Sequence, residues 1–114
     1  MGADVTIRIC PDNPLLVENE HEGKKVYYYW CESCGGHDCF DDTRKVTSWN
    51  PLTLVQPVRM TMGGHGSKMP VKTICHVFIK NGIIEYLSDC ANQKVAGSKR
   101  PMLPPKTEYF QGLT

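Results

Sequence analysis

Cys75-His76-Val77-Phe78-Ile79-Lys80-Asn81-Gly82-Ile83-Ile84-Glu85-Tyr86-Leu87-Ser88-Asp89-Cys90 reads as a β-hairpin. Two runs rich in Ile, Val, Phe and Tyr flank Asn81-Gly82, a pair that tolerates the positive φ angles of a two-residue type I′ turn. With those residues as the loop, Lys80 opposes Ile83, Ile79 opposes Ile84, Val77 opposes Tyr86 and Cys75 opposes Ser88. Side chains alternate between faces. Cys75, Val77, Ile79, Ile84, Tyr86, Ser88 and Cys90 therefore share one face, and His76, Phe78, Lys80, Ile83, Glu85 and Leu87 share the other. The first face is the more apolar and is the candidate core face. Both cysteines lie on it, diagonally across the open end of the hairpin and roughly 7 Å apart at the backbone.

Upstream lies Cys31-Glu32-Ser33-Cys34-Gly35-Gly36, a Cys-x-x-Cys knuckle whose glycines let backbone amides turn toward sulfur. A knuckle plus two more cysteines predicts a tetrahedral zinc site made of Cys31, Cys34, Cys75 and Cys90. Such a site ties two distant hairpins together, as in zinc ribbons. A second arrangement, Cys31, Cys34, His37 and Cys39 on one tight loop, stays open because Gly35-Gly36 would permit it. In the distributed site Cys39 is a spare thiol and Cys10 a buried or edge residue without chemistry. His76 faces away from Cys75 in this register. It becomes a ligand only if the register slips.

The aromatic run Val26-Tyr27-Tyr28-Tyr29-Trp30 delivers the chain into Cys31. A stacking platform for bases is one reading. The preferred one is that alternate rings build the core and shield the metal site from water. Asp4 to Cys10 alternates as a strand with Val5, Ile7 and Ile9 on one face, and Pro11 to Pro14 ends it in a turn. Leu15 to Asn19 is a further short strand, Glu20 to Gly23 a turn, and Lys24 to Trp30 β again. Phe40 to Lys45 reads as a charged loop, and Leu52 to Met62 as two short strands broken at Pro57. Gly63-Gly64-His65-Gly66-Ser67-Lys68 lacks phosphate-loop spacing and is expected to be a loop tip. Asn92 to Gly97 closes the hairpin region as a turn or a single helical turn. No stretch shows a long 3.6-residue period with caps.

The expected fold is thus mainly β: a small zinc-ribbon-like domain of antiparallel hairpins with little helix. It spans residues 1–97 and is followed by a Pro-rich extended tail, 98–114. Thirteen Lys and Arg against twelve Asp and Glu leave a formal charge of +1, which argues against a strongly nucleic-acid-binding surface. No apolar run approaches the roughly 18 residues of a membrane span. No charged-then-apolar leader opens the sequence, so the six cysteines are expected to be reduced, four of them on a metal, rather than paired in disulfides.

Cys31-x-x-Cys34, then Trp49, then Cys75-His76-x-Phe78-Ile79-x-x-Gly82-x-Ile84-x-Tyr86-Leu87-x-Asp89-Cys90, then Ala96-Gly97 resembles a family of small uncharacterised proteins of tailed phages and prophages. Some members carry an ammonia monooxygenase label that nothing in these residues supports. The resemblance covers roughly residues 29–97, and it implies that Cys31, Cys34, Cys75 and Cys90 recur together as a metal site. Where those proteins have a His two residues after Asp-Cys, this chain has Asn92.

Three functional expectations follow. The first is a non-catalytic, zinc-stapled phage protein that binds other protein chains, phage structural or host, through its N-terminal strand and C-terminal tail. It would be a virion accessory of head or tail, located in the virion or the host cytoplasm. The second is an intracellular effector that binds a host protein or nucleic acid; clustering of Lys24, Lys25, Arg44, Lys45, Lys94, Lys99 and Arg100 would favour it. The third is a zinc-dependent hydrolase with an open ligand position near Glu32 or Asp89. Four available thiols argue against it, and the His-x-Glu and Pro-Cys-x-x-Cys deaminase pattern is absent.

Overall fold

The computed structural model describes residues 5–62 and 72–113. Ten antiparallel strands build it: β1 Val5–Ile9, β2 Val17–His21, β3 Lys24–Cys31, β4 Gly36–Asp41, β5 Val46–Trp49, β6 Leu52–Leu54, β7 Val58–Met62, β8 Lys72–Lys80, β9 Ile83–Tyr86 and β10 Lys99–Pro101. They form one four-stranded sheet in the order β1-β2-β3-β4, a second in the order β10-β9-β8-β7, and a two-stranded ribbon β5-β6. The helical content among the described residues is one 3-10 turn, Thr107–Tyr109. The mainly β expectation holds.

The register of the opening hairpin is the one its turn dictates. Lys80 pairs with Ile83, Ile79 with Ile84 and Val77 with Tyr86, around Asn81 and Gly82 at φ 52° and 73°. Such angles are what a two-residue turn needs to match strand twist. Pairing stops at Tyr86, so Cys75 does not oppose Ser88. Beyond it the Leu87 amide donates to the His76 carbonyl and the Ala91 amide to the Ile74 carbonyl, which carries Cys90 back over β8. Glu22 and Gly23 turn β2 into β3 with the same sign of φ.

Alternation decides which side chains enter the core. Tyr27, Tyr29 and Cys31 of β3, Phe40 of β4, Leu52 and Leu54 of β6, Val58 of β7, Cys75, Val77 and Ile79 of β8, and Ile84 and Tyr86 of β9 form one continuous buried cluster. The inner faces of both four-stranded sheets and the ribbon meet in it. Burial of this apolar surface is the dominant stabilising term.

Several boundaries differ from the sequence reading. Glu20 and His21, expected in a turn, end strand β2. Phe40 and Asp41, expected in a loop, end strand β4, because pairing with Tyr27 and Val26 continues that far. Residues expected to open the free tail instead form β10, with Lys99, Arg100 and Pro101 opposite Glu85, Ile84 and Ile83. Pro101 is tolerated there because β10 is an edge strand. The break at Pro57 between β6 and β7 falls as expected. The Gly63–Lys68 loop tip lies outside the described residues.

Candidate metal centre

Cys31 ends β3 and Cys34 follows in the turn before β4, while Cys75 sits mid-strand on β8 of the other sheet. The Gly35 amide donates to the Cys31 carbonyl, and Gly35 takes a φ of 64° that closes the knuckle. The Cys34 amide points at Cys31 Sγ, 3.3 Å away. Cys31 Sγ and Cys75 Sγ are 3.3 Å apart, too far for a disulfide at about 2.05 Å. Together with Asp38 of β4, these three sulfurs form a set whose ligand atoms all lie within 4.8 Å of one another. Sulfurs around a tetrahedral ion with bonds of about 2.3 Å are separated by roughly 3.8 Å. Cys31, Cys34, Asp38 and Cys75 are therefore close enough together to hold a metal ion.

Groups from the second sheet clamp the knuckle in place. The Glu32 amide donates to the Tyr86 hydroxyl oxygen at 3.1 Å, and Arg100 Nη1 pairs with Glu32 Oε1 at 3.2 Å. Asn92, the residue standing in place of the His of the resembling proteins, donates to the Ser33 carbonyl at 3.4 Å. The knuckle is thus already joined by hydrogen bonds to the sheet that carries Cys75 and to the loop that follows β9.

Electrostatics make the cluster an uncomfortable place for protons and for charge. The hydrogen bonds of Cys31 and Cys75 hold the Cys34 thiol down to about 5. The same hydrogen bonds push Cys31 and Cys75 up, since a thiol that donates to a neighbouring thiolate keeps its proton. Burial, followed by the Cys31 charge, pushes Asp38 up to about 7. Four acidic groups in so small a volume do not all ionise without a cation among them. A further sign is the pair of orphaned hydroxyls. Among the described residues, the buried side-chain oxygens without a hydrogen-bond partner are Tyr29 Oη and Ser33 Oγ. One belongs to the strand leading into Cys31, the other lies between Cys31 and Cys34.

Three of the four predicted ligands, Cys31, Cys34 and Cys75, converge. Cys90 is buried and its Sγ is 3.8 Å from that of Cys75, but it stands outside the mutually close set. Its sulfur lies 3.3 Å from both the amide and the carbonyl of His76. His76 itself turns outward and pairs with Asp89 at 3.1 Å. His37 and Cys39 of the one-loop arrangement also face away. His37 Nε2 accepts the Lys106 amide at 3.0 Å, and Cys39 lines a surface cleft with Phe40, Arg44 and Arg59.

Asp38 belongs to no ligand-spacing pattern in the sequence and lies between two residues, His37 and Cys39, that do. In β4 the period of two sends His37 and Cys39 outward and Asp38 inward. The signal available was the pairing of β4 with β3, which places Asp38 opposite buried Tyr29. Comparison of the chain with protein-family models, with curated proteins and with solved structures finds no match in any of the three.

Proposed function

We propose that the chain is a metal-stapled, non-catalytic β module that presents its outer strands and C-terminal segment to other protein chains, with zinc as the structural ion. The observation that supports this most strongly is the convergence of Cys31 and Cys34 from one sheet with Cys75 from the other. A thiolate-rich, buried donor set suits zinc among the common divalent ions, and four protein donors with no position left open suit structure rather than turnover. Three surface clefts, of about 260, 330 and 200 Å³, are lined by residues outside the cluster. No helix among the described residues is long and apolar enough to cross a membrane.

The partner-binding half of the reading rests on the outer surfaces. β1 is an edge strand of its sheet, bridged at Ile7 by Leu113 of the C-terminal segment, so strand and tail form one outer surface of the kind that pairs with another chain. Val5 on that strand and Tyr109 on the tail are large hydrophobics left exposed, Tyr109 at 63%. The resemblance to tailed-phage proteins directs the search for partners to phage structural or host proteins.

Native mass spectrometry with and without a strong chelator tests the staple. One zinc per chain is expected, lost in Cys31→Ser and Cys75→Ser and kept in Cys39→Ser; a metal-free wild-type protein sinks it. Affinity purification of the full chain from producing cells, beside Tyr109→Ala, tests the surface. A partner lost in the variant supports the tail as its dock, whereas equal recovery removes the tail from the reading.

A further inference from the structure

Two carboxylates are buried among the described residues, and the fold treats them differently. Glu18 is held by Arg8 Nε at 2.8 Å and Lys25 Nζ at 3.7 Å. Asp38, 3% exposed, has no Lys, Arg or His within ion-pair reach among the described residues. Its hydrogen-bond partner is a thiol, Cys34 Sγ, at 3.5 Å. A carboxylate removed from water without a counter-charge is costly, and buried charges are found paired or bound to metal. Across the β3–β4 ladder Asp38 stands directly opposite Tyr29, so their side chains leave the same face about 5 Å apart at Cβ. Tyr29 is 0% exposed, and its hydroxyl is one of the two orphans. Burial first, and then the neighbouring Asp38, push the Tyr29 hydroxyl well above its ordinary range, so it keeps its proton and stays a donor. A buried carboxyl without a counter-charge and an unused donor thus stand on paired residues of the ladder, beside a thiol cluster.

We infer that Asp38 is the fourth ligand, completing a site of three sulfurs and one oxygen with Cys31, Cys34 and Cys75, and that the Tyr29 hydroxyl, which has no partner in this structure, is the donor that orients the Asp38 carboxylate when the ion is bound. This rests on the metal-staple reading above. A tetrahedral ion needs all four donors mutually close, and that holds for the set containing Asp38. Cys90 satisfies one edge, to Cys75, and stands outside the mutually close set. Cys90 is therefore a support for Cys75, packed behind it. Metal ligands are commonly oriented by such outer hydrogen bonds, and removing one typically costs about 10–100-fold in affinity.

The test is titration of the full-length chain with cobalt(II), read by its sulfur charge-transfer and visible bands, with affinities from chelator competition and the fold checked by circular dichroism. Wild type is expected to show three cobalt–thiolate bonds. Cys90→Ser should leave spectrum and affinity unchanged. Asp38→Asn should shift the visible bands and weaken binding, and Tyr29→Phe, which removes a single oxygen, should weaken it about 10–100-fold with the thiolate count unchanged. Loss of one thiolate band in Cys90→Ser, or an unaltered spectrum and affinity in Asp38→Asn, overturns the inference while leaving the staple intact. Unchanged affinity in Tyr29→Phe overturns the role of the hydroxyl. Failure of wild type to bind any metal sinks the staple itself.

Discussion

The two faces of the β3–β4 hairpin are made of the same kinds of residue and do different things. Inward it presents Tyr27, Tyr29, Cys31, Asp38 and Phe40, all buried. Outward it presents Tyr28, Trp30, His37 and Cys39, all half-buried. The inner rings pack on one another, Tyr27 with Phe40 at 5.3 Å and Tyr29 with Phe40 at 6.4 Å between centroids. The outer rings are covered instead by the C-terminal segment. Tyr109 stacks over Trp30 at 6.0 Å, Phe110 meets His37 at 4.7 Å and Tyr28 at 5.4 Å edge-on, and Lys106 Nζ lies 4.3 Å above the Trp30 ring. An aromatic residue is structural here or interfacial according to which side of the pleat it leaves. The inner side has a second sheet to bury against; the outer has only a short strap with no buried residue in its 3-10 turn.

The comparison predicts a descending series of effects. If the proposed staple holds, removing its metal, by chelation or Cys31→Ser, should cost most. A structural zinc site contributes folding free energy outright, so a loss of about 5 kcal/mol or more is expected in denaturant unfolding followed with and without chelator. Next comes the neighbouring pair Tyr29→Ala and Tyr28→Ala. The first empties a fully buried site and should cost about 3–5 kcal/mol, the second about 1 kcal/mol for one edge-on ring contact. Equal costs in chemical denaturation would break the distinction between the faces. Trp30→Ala removes the stacking and the cation–π contact and should cost about 1–2 kcal/mol. Hydrogen exchange should then rise in residues 106–113 and leave β8 protected. Cys39→Ser, on the outer face and outside the cluster, should move stability by no more than about 0.5 kcal/mol and leave the metal content unchanged.

Local chemistry explains why so much of the fold was legible. Asn81-Gly82 specifies the turn, the turn specifies the register, and the register assigns Cys75, Val77, Ile79, Ile84 and Tyr86 to the core, where all five are buried. The same period of two separates Tyr29 from Tyr28. Legibility failed where a residue's role depends on a strand distant in sequence. Cys90 is diagonal to Cys75 within the hairpin, yet its sulfur turns to the His76 backbone, because the chain after Tyr86 leaves the ladder. Lys99 to Pro101 have the composition of a tail and become a strand only because β9 offers an unpaired edge.

The sequence by itself determined the β class, the central hairpin with its register, and three of the cysteines that gather at one point, because turn residues and alternation act within a few positions of each other. Only the tertiary structure decided that Asp38 joins those thiols, that Tyr29 and Ser33 bring unpaired hydroxyls to them, and that the last segment folds back over Trp30 and His37. Each of these depends on which strand becomes whose neighbour. That choice is made by burial of the whole core rather than by any local stretch of the chain.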